Sequence, residues 1–184
     1  MLTIGIVGWS GAGKTTLLEG VIRSLAARGL KVATVKHAHR RFDMDRPGKD
    51  SFRHREAGAR QVLVASPDRW ALLSEHPGEP EIDLAAALAL LDPADVVLVE
   101  GYKGAEIDKI EVWRPAHGQP PLWPADDRVV AVATDAAAPE LPAPLGDRPL
   151  LPLNAPEAVA GYVLDRLGRE TPAIARPAPA EARR

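Results

Sequence analysis

The chain opens on a short apolar run, Leu2-Thr3-Ile4-Gly5-Ile6-Val7, then a glycine-rich polar stretch, then apolar residues at helical spacing. Positions 18, 21, 22 and 25 fall at i, i+3, i+4 and i+7. The first run predicts a buried strand and the second pattern an amphipathic helix from about Thr15 to Ala27, closed by Gly29. Leu30 to Val35 predicts a second strand. Strand, helix and strand this close together make a βαβ unit and hence a parallel sheet. Asp50 or Ser51 is expected to cap a short helix that ends near Gly58. Gln61 to Ala65 and Trp70 to Leu73 read as two strands of a hairpin turned at Ser66-Pro67-Asp68. Asp83 opens a helix with Leu84, Leu88 and Leu91 on one face, followed by Pro93. Four consecutive apolar residues, Val96 to Val99, suit a strand buried on both faces. Lys109 to Trp113 alternates as a strand does, and Pro115 to Pro124 is irregular. Arg128 to Ala133 is a further buried strand, and Leu150 to Leu153 a short last one. Asn154-Ala155-Pro156-Glu157 resembles a capping box opening a final helix, with Val159, Val163 and Leu167 on its apolar face and Gly168 at its end.

These elements add up to an α/β fold, a mostly parallel sheet flanked by helices with a β-hairpin extension. Residues 1–168 are expected to form one domain. The segment 169–184, rich in Pro, Ala and Arg and without periodicity, reads as a disordered tail. A chain of 184 residues with 46% hydrophobic residues needs no staple to hold its core. It has no cysteine, which excludes disulfides, thiol catalysis and Cys-ligated zinc. A net charge of −2 argues against a general nucleic-acid binder. No apolar run approaches the ~20 residues that span a membrane, and no signal peptide precedes the first strand, so a cytoplasmic protein is expected.

The chemistry is concentrated in Gly8-Trp9-Ser10-Gly11-Ala12-Gly13-Lys14-Thr15-Thr16, which fits G-x-x-x-x-G-K-[ST] at every fixed position. Its place between a strand and a helix is the context this phosphate loop requires and gives the sheet a P-loop NTPase architecture. The loop backbone from Gly8 through Gly11, Ala12 and Gly13 is expected to wrap a phosphate chain, and the helix N-terminus behind it favours an anion. Lys14 is the mobile charge for the β- and γ-phosphates and a candidate catalytic group. Thr15 is the expected Mg²⁺ ligand, and Thr16 a candidate for the α-phosphate.

Three further places are candidates. Glu100 ends the buried strand where a Walker B carboxylate stands, to hold Mg²⁺ through a water or to orient the attacking water. Asp95 is excluded because it lies about 16 Å away at the strand's other end. Residues 36–60 hold three of the five histidines and eight lysines or arginines against four acids. This segment leaves a strand end beside the phosphate loop, where open α/β sheets bind ligands. It reads either as a solvated surface loop or as a switch-like segment that orders around GTP·Mg²⁺, with Asp43 or Asp45 facing the Mg²⁺ hydration shell. His37 and His39 read as metal ligands or, more commonly at this spacing, as hydrogen-bonding residues. Asp135 follows a parallel strand as base-reading loops of P-loop GTPases do, and is a candidate for the guanine N1–H and N2–H, although no N-K-x-D accompanies it.

Together, Lys36-His37-Ala38-His39, Phe42-Asp43, Asp45, Pro47-Gly48-Lys49-Asp50-Ser51, Ala57-Gly58-Ala59, Val64-Ala65-Ser66 and Val99-Glu100-Gly101-Tyr102-Lys103 resemble the molybdopterin-guanine dinucleotide biosynthesis protein B (MobB) family over roughly residues 2–168. The resemblance implies a homodimeric GTP-binding protein with weak GTPase activity. It implies a partner, MobA, which attaches GMP to molybdopterin. The family's phosphate and Mg²⁺ roles fall on Gly11, Gly13, Lys14, Thr15 and Thr16, and its acidic roles on Glu100, Asp43 and Asp45. Arg40 stands where many members have His, and Trp9, large for a phosphate loop, reads as a packing or dimer contact. Two other readings of the same residues stay open: a P-loop small-molecule kinase acting on an anionic acceptor, and an adaptor that binds nucleotide without turning it over.

Overall fold

The computed structural model describes residues 1–38, 42 and 44–170. His39, Arg40, Arg41, Asp43 and the segment 171–184 lie outside the described residues. The chain divides into two compact units, Met1–His37 with the residues from Leu84 onward, and Ala38–Asp83.

The first unit is built on a six-stranded sheet. In chain order its elements are β1 (Leu2–Val7), α1 (Lys14–Ala26) and β2 (Val32–Lys36), then, past the second unit, α3 (Leu84–Ala89), β5 (Val96–Glu100), β6 (Lys109–Val112), β7 (Val129–Thr134), β8 (Leu150–Pro152) and α4 (Pro156–Glu170). The strand order is β2-β5-β1-β6-β7-β8 with every pair parallel. β1 and β5 are flanked on both sides, and all five residues of β5 are buried, as a continuous apolar run requires. One core packs Leu2, Ile4 and Ile6 of β1 against Leu17, Val21 and Leu25 of α1 and Val159 and Val163 of α4. α1 and α4 approach closely at Gly20, where a methyl group would lie 2.5 Å from Pro156 Cβ. α4 runs two residues past Gly168, and Pro156 opens it at a position whose missing N–H has no helical partner to lose.

β6 departs from its alternating pattern. Lys109 and Glu111 are buried along with Ile110 and Val112. The Lys109 ammonium donates to the Lys103 carbonyl and pairs with Asp126, both at 2.8 Å or less. The Glu111 carboxylate accepts the backbone N–H groups of Leu122 and Trp123 at 2.9–3.0 Å. Glu111 thereby pins the end of the segment 114–123, which carries a 3-10 turn at Pro115–His117, and Lys109 ties down Asp126 beyond it.

The second unit contains α2 (Asp50–Glu56) and an antiparallel hairpin, β3 (Gln61–Ala65) and β4 (Trp70–Ser74). The helix is capped by neither Asp50 nor Ser51: Lys49 holds the cap position, Asp50 lies in the first turn, and Ser51 Oγ donates instead to Asp45 at 3.0 Å. In the hairpin Leu63 faces Leu72 and Ala65 faces Trp70, so Leu63, Leu72 and Trp70 share one face, and all three are exposed.

Candidate functional site

The site forms where the carboxyl ends of β1, β5 and β2 lie side by side. β1 leads into the phosphate loop. Gly8 has φ +136°, and a methyl group there would lie 2.3 Å from the Val112 carbonyl oxygen, so only glycine lets the loop leave the sheet here. Ala12 is buried beneath the loop, and Gly13, at φ +101°, holds the cap position of α1. The first turn of α1 carries no acid to compete with an anion at the helix N-terminus. Gly11, Thr15 and Thr16 are exposed at the mouth.

Lys14 reaches back over its own loop, its ammonium donating to the Gly8 and Trp9 carbonyls at 3.1 and 2.8 Å. Burial lowers its pKa; Glu100 opposes the shift, and the nearby Lys103 and Lys36 charges add to it. Glu100 is 9% exposed. Its Oε1 accepts from Thr15 Oγ1 at 3.3 Å, and its carboxylate pairs with the Lys36 ammonium at 3.2 Å. The loops after β2 and β5 are tied directly, His37 N–H donating to the Glu100 carbonyl at 2.9 Å. Glu100, 85 residues along the chain from Thr15, thus meets the Lys14-Thr15 pair at the phosphate loop. Thr15 and Glu100 offer hard oxygen donors that suit Mg²⁺, a cation commonly held by one or two protein oxygens plus phosphates and water. Among the described residues no group of three His, Cys, Asp or Glu forms a protein-only metal cage.

The other candidates are placed differently. Asp135 lies at the end of β7, its Oδ2 accepting from Arg114 Nε and paired with Arg114 Nη2, both at 2.8 Å. It lines a cleft of about 470 Å³ between the ends of β7 and β8, together with Asn154. Asp45 belongs to the second unit, where it accepts from Ser51 and the Arg46 N–H and pairs with Arg55 at 3.6 Å. Asp43 and His39 lie outside the described residues. His37 stacks on Tyr102, ring centroids 4.5 Å apart. Asp95 accepts the Lys31 N–H at the opposite end of the sheet.

Sequence reasoning missed the neighbours that the segment after β6 brings to the loop. Trp9 Nε1–H donates to the Pro120 carbonyl at 2.7 Å. A methyl group on Gly11 would lie 3.1 Å from His117 Nε2. The signal for these contacts was Glu111 in β6, which anchors the segment at Leu122 and Trp123, and an alternating strand disguises it as a surface position.

The sequence model of one family, Molybdopterin guanine dinucleotide synthesis protein B, matches residues 3–135. The Molybdopterin-guanine dinucleotide biosynthesis adapter protein of Escherichia coli (strain K12) is 42% identical over 91% of this chain and 94% of its own. The protein of the same name from Haemophilus influenzae is 41% identical over 87% of this chain and 86% of its own. Among solved structures, a molybdopterin-guanine biosynthesis protein B superposes with a TM-score of 0.69 at 28% identity, covering 90% of this chain and 99% of that one. A MobB protein homolog from Bacillus stearothermophilus gives 0.68 at 25% identity, over 92% and 99%.

Proposed function

This chain belongs to the molybdopterin guanine dinucleotide synthesis protein B (MobB) family, and on that premise we propose that it is an adapter of molybdopterin guanine dinucleotide formation that binds GTP with Mg²⁺, hydrolyses it slowly and assists a MobA-type guanylyltransferase. The observation that carries the nucleotide reading is the convergence of Thr15 and Glu100 at the mouth of a complete phosphate loop. The loop backbone and Lys14 hold the phosphates. Thr15 contacts the metal, and Glu100 meets its hydration shell; Mg²⁺ when bound neutralises the phosphate charge. The cleft after β7 and β8 takes the base, with Asp135 reading guanine through Oδ1 or after release of Arg114, and Asn154 as its neighbour.

Slow turnover agrees with the groups at hand. Fast GTP hydrolysis needs a residue that orients water and an arginine at the γ-phosphate. Glu100 is committed to Lys36 and Thr15, and Arg114 is committed to Asp135. Among the described residues the cations that act on Lys14 are the lysines Lys36 and Lys103, while Arg40 and Arg41 lie outside the described residues. The apolar face of the hairpin, Leu63, Leu72 and Trp70, supports a homodimer that covers it. The segment 36–51, with Asp43 and Asp45, orders around GTP·Mg²⁺ in this reading, and protection from hydrogen exchange there on adding GTP·Mg²⁺ is the expected sign.

The test is calorimetry with GTP, GDP, ATP and ADP, with and without Mg²⁺. GTP is expected to bind more tightly than ATP, more tightly with Mg²⁺ than without, and Asp135→Asn to narrow the base preference. Equal affinity for GTP and ATP in the parent protein refutes the guanine reading.

A further inference from the structure

Trp9 occupies the second position of the phosphate loop, where a large ring is not needed to wrap a phosphate. It is half-buried, and its indole N–H is fixed on the Pro120 carbonyl. The Lys103 ammonium lies over the ring, 4.3 Å from the centroid, a cation–π contact.

Lys103 reaches this seat through a strained turn. Gly101 and Tyr102 follow β5 with φ +97° and +46°, and the left-handed region is disfavoured for a residue as large as tyrosine. The turn is held from several sides. His37 stacks on Tyr102, the Ala105 N–H donates to the Tyr102 carbonyl at 2.9 Å, and the buried Lys109 donates to the Lys103 carbonyl at 2.7 Å. A methyl group at Gly101 would lie 2.8 Å from His37 Cβ. A backbone strained and braced in this way sends the Lys103 side chain back across the phosphate loop.

The position along the loop identifies which phosphate it meets. The phosphate-loop lysine serves the β- and γ-phosphates. Lys14 places its ammonium on the Gly8 and Trp9 carbonyls, so the Trp9 end of the loop is the terminal-phosphate end, opposite the helix N-terminus at Gly13. Lys36 and Lys103 both oppose the charge of Lys14, which Glu100 favours, and Lys103 also acts on the buried Glu111. A cluster of like charges is costly alone and favourable around a polyanion.

We infer that Lys103, seated on Trp9, is a second phosphate-binding cation that contacts the terminal phosphate of a nucleoside triphosphate and so separates triphosphate from diphosphate. The inference rests on the nucleotide reading above and adds to it the residue that senses the nucleotide's state. Trp9 is a positioning residue that acts through Lys103.

The experiment measures binding of GTP, GDP, tripolyphosphate and pyrophosphate to the full chain with Mg²⁺. Lys103→Ala is expected to weaken GTP and tripolyphosphate about tenfold, the scale of a lost charge-assisted hydrogen bond, and to leave GDP and pyrophosphate within about twofold. Lys103→Arg keeps most of the affinity, since a guanidinium also stacks on tryptophan. Trp9→Leu reproduces the Lys103→Ala pattern, and Trp9→Phe, which keeps an aromatic seat, does not. Thermal melts accompany each variant, and if Trp9→Leu fails to fold, the exposed Lys103 pair decides alone. Equal losses on tri- and diphosphates, or no loss on triphosphates, overturn the inference and leave the phosphate-loop reading intact. A parent protein that binds neither GTP nor tripolyphosphate overturns that reading, and this one with it.

Discussion

Replacing Glu100 by Gln separates two roles of one carboxylate by the sign of its effect. The side chain keeps its size and an acceptor for Thr15 Oγ1, now 3.3 Å away, but loses its charge. Through a metal-bound water, a phosphate oxygen would stand about 6 Å from that charge, a hydrogen bond of about 2.8 Å to the water followed by two metal–oxygen bonds of about 2 Å that do not lie in line. At this distance two unit charges interact by about 1–3 kcal/mol for effective dielectric constants between 80 and 20. Without Mg²⁺ the carboxylate repels the phosphates, so Glu100→Gln is expected to bind GTP about five- to a hundredfold more tightly than the parent in EDTA. Release of Lys36 from its 3.2 Å pair adds to the gain. With Mg²⁺ the sign reverses, because the metal's hydration shell loses its negative partner, and the affinity gained on adding Mg²⁺ shrinks. Single-turnover hydrolysis falls further than binding, since a charge that orients water or metal matters most in the transition state. Titration calorimetry with GTP in EDTA and then in Mg²⁺ reads both arms. A variant that binds GTP more weakly than the parent in EDTA contradicts the reasoning, because the carboxylate would then be aiding the phosphates directly.

Lys14→Ala removes the partly buried ammonium at the loop and is expected to cost about 2–4 kcal/mol of GTP affinity by calorimetry, the scale of a lost desolvated charge pair. Gly20→Ala sets helix propensity, a gain of about 1 kcal/mol, against a methyl group 2.5 Å from Pro156 Cβ; overpacking of about 1–3 kcal/mol wins, so urea unfolding shows a net loss, and a stabilised variant would refute the close approach of α1 to α4. Glu111 is fully buried, and burial raises its pKa in the fold above the unfolded value, against the two backbone N–H groups that favour its charge. Its contribution to stability is therefore full below the unfolded pKa and is lost as pH rises through the folded one. Glu111→Gln removes that fall from the stability–pH curve, and an unchanged curve counts against the assignment.

The phosphate loop, α1 and the buried run of β5 were legible because each is a local pattern: a fixed spacing, a helical period, an unbroken apolar strand. The order of elements implied a parallel sheet. Gly29 marked a helix end because its chemistry acts within a few residues, with φ +81° and its N–H on the Ala26 carbonyl. The pairing of Thr15 with Glu100 was legible at one remove, since the loop that leads to Thr15 leaves the carboxyl end of one strand, Glu100 stands at the carboxyl end of another, and such ends meet in an open α/β sheet. What stayed hidden is what strand neighbours decide. Lys109 and Glu111 alternate with apolar residues and so read as a solvent face, yet β6 is enclosed between β1 and β7 and both are buried. Nothing local to them names Asp126, Lys103, Leu122 or Trp123 as their partners.

The same limit explains why Asp135 and Trp9 were read incompletely. Asp135 was placed at the correct end of a strand, but the sequence separates it from Arg114 by an irregular stretch whose path depends on Glu111. Trp9 looked oversized for its loop because the reasons for its size, Pro120 and Lys103, come from two segments that approach it from different strands. Buried polar groups are hydrogen-bonded in folded proteins, so a polar residue in a strand flanked on both sides has to find a partner in a connecting segment. In this chain those partners hold the turn that carries Lys103 and the segment that carries His117 and Pro120. The irregular stretches nearest the phosphate loop are thus fixed from inside the sheet by residues that the hydrophobic pattern alone assigns to solvent.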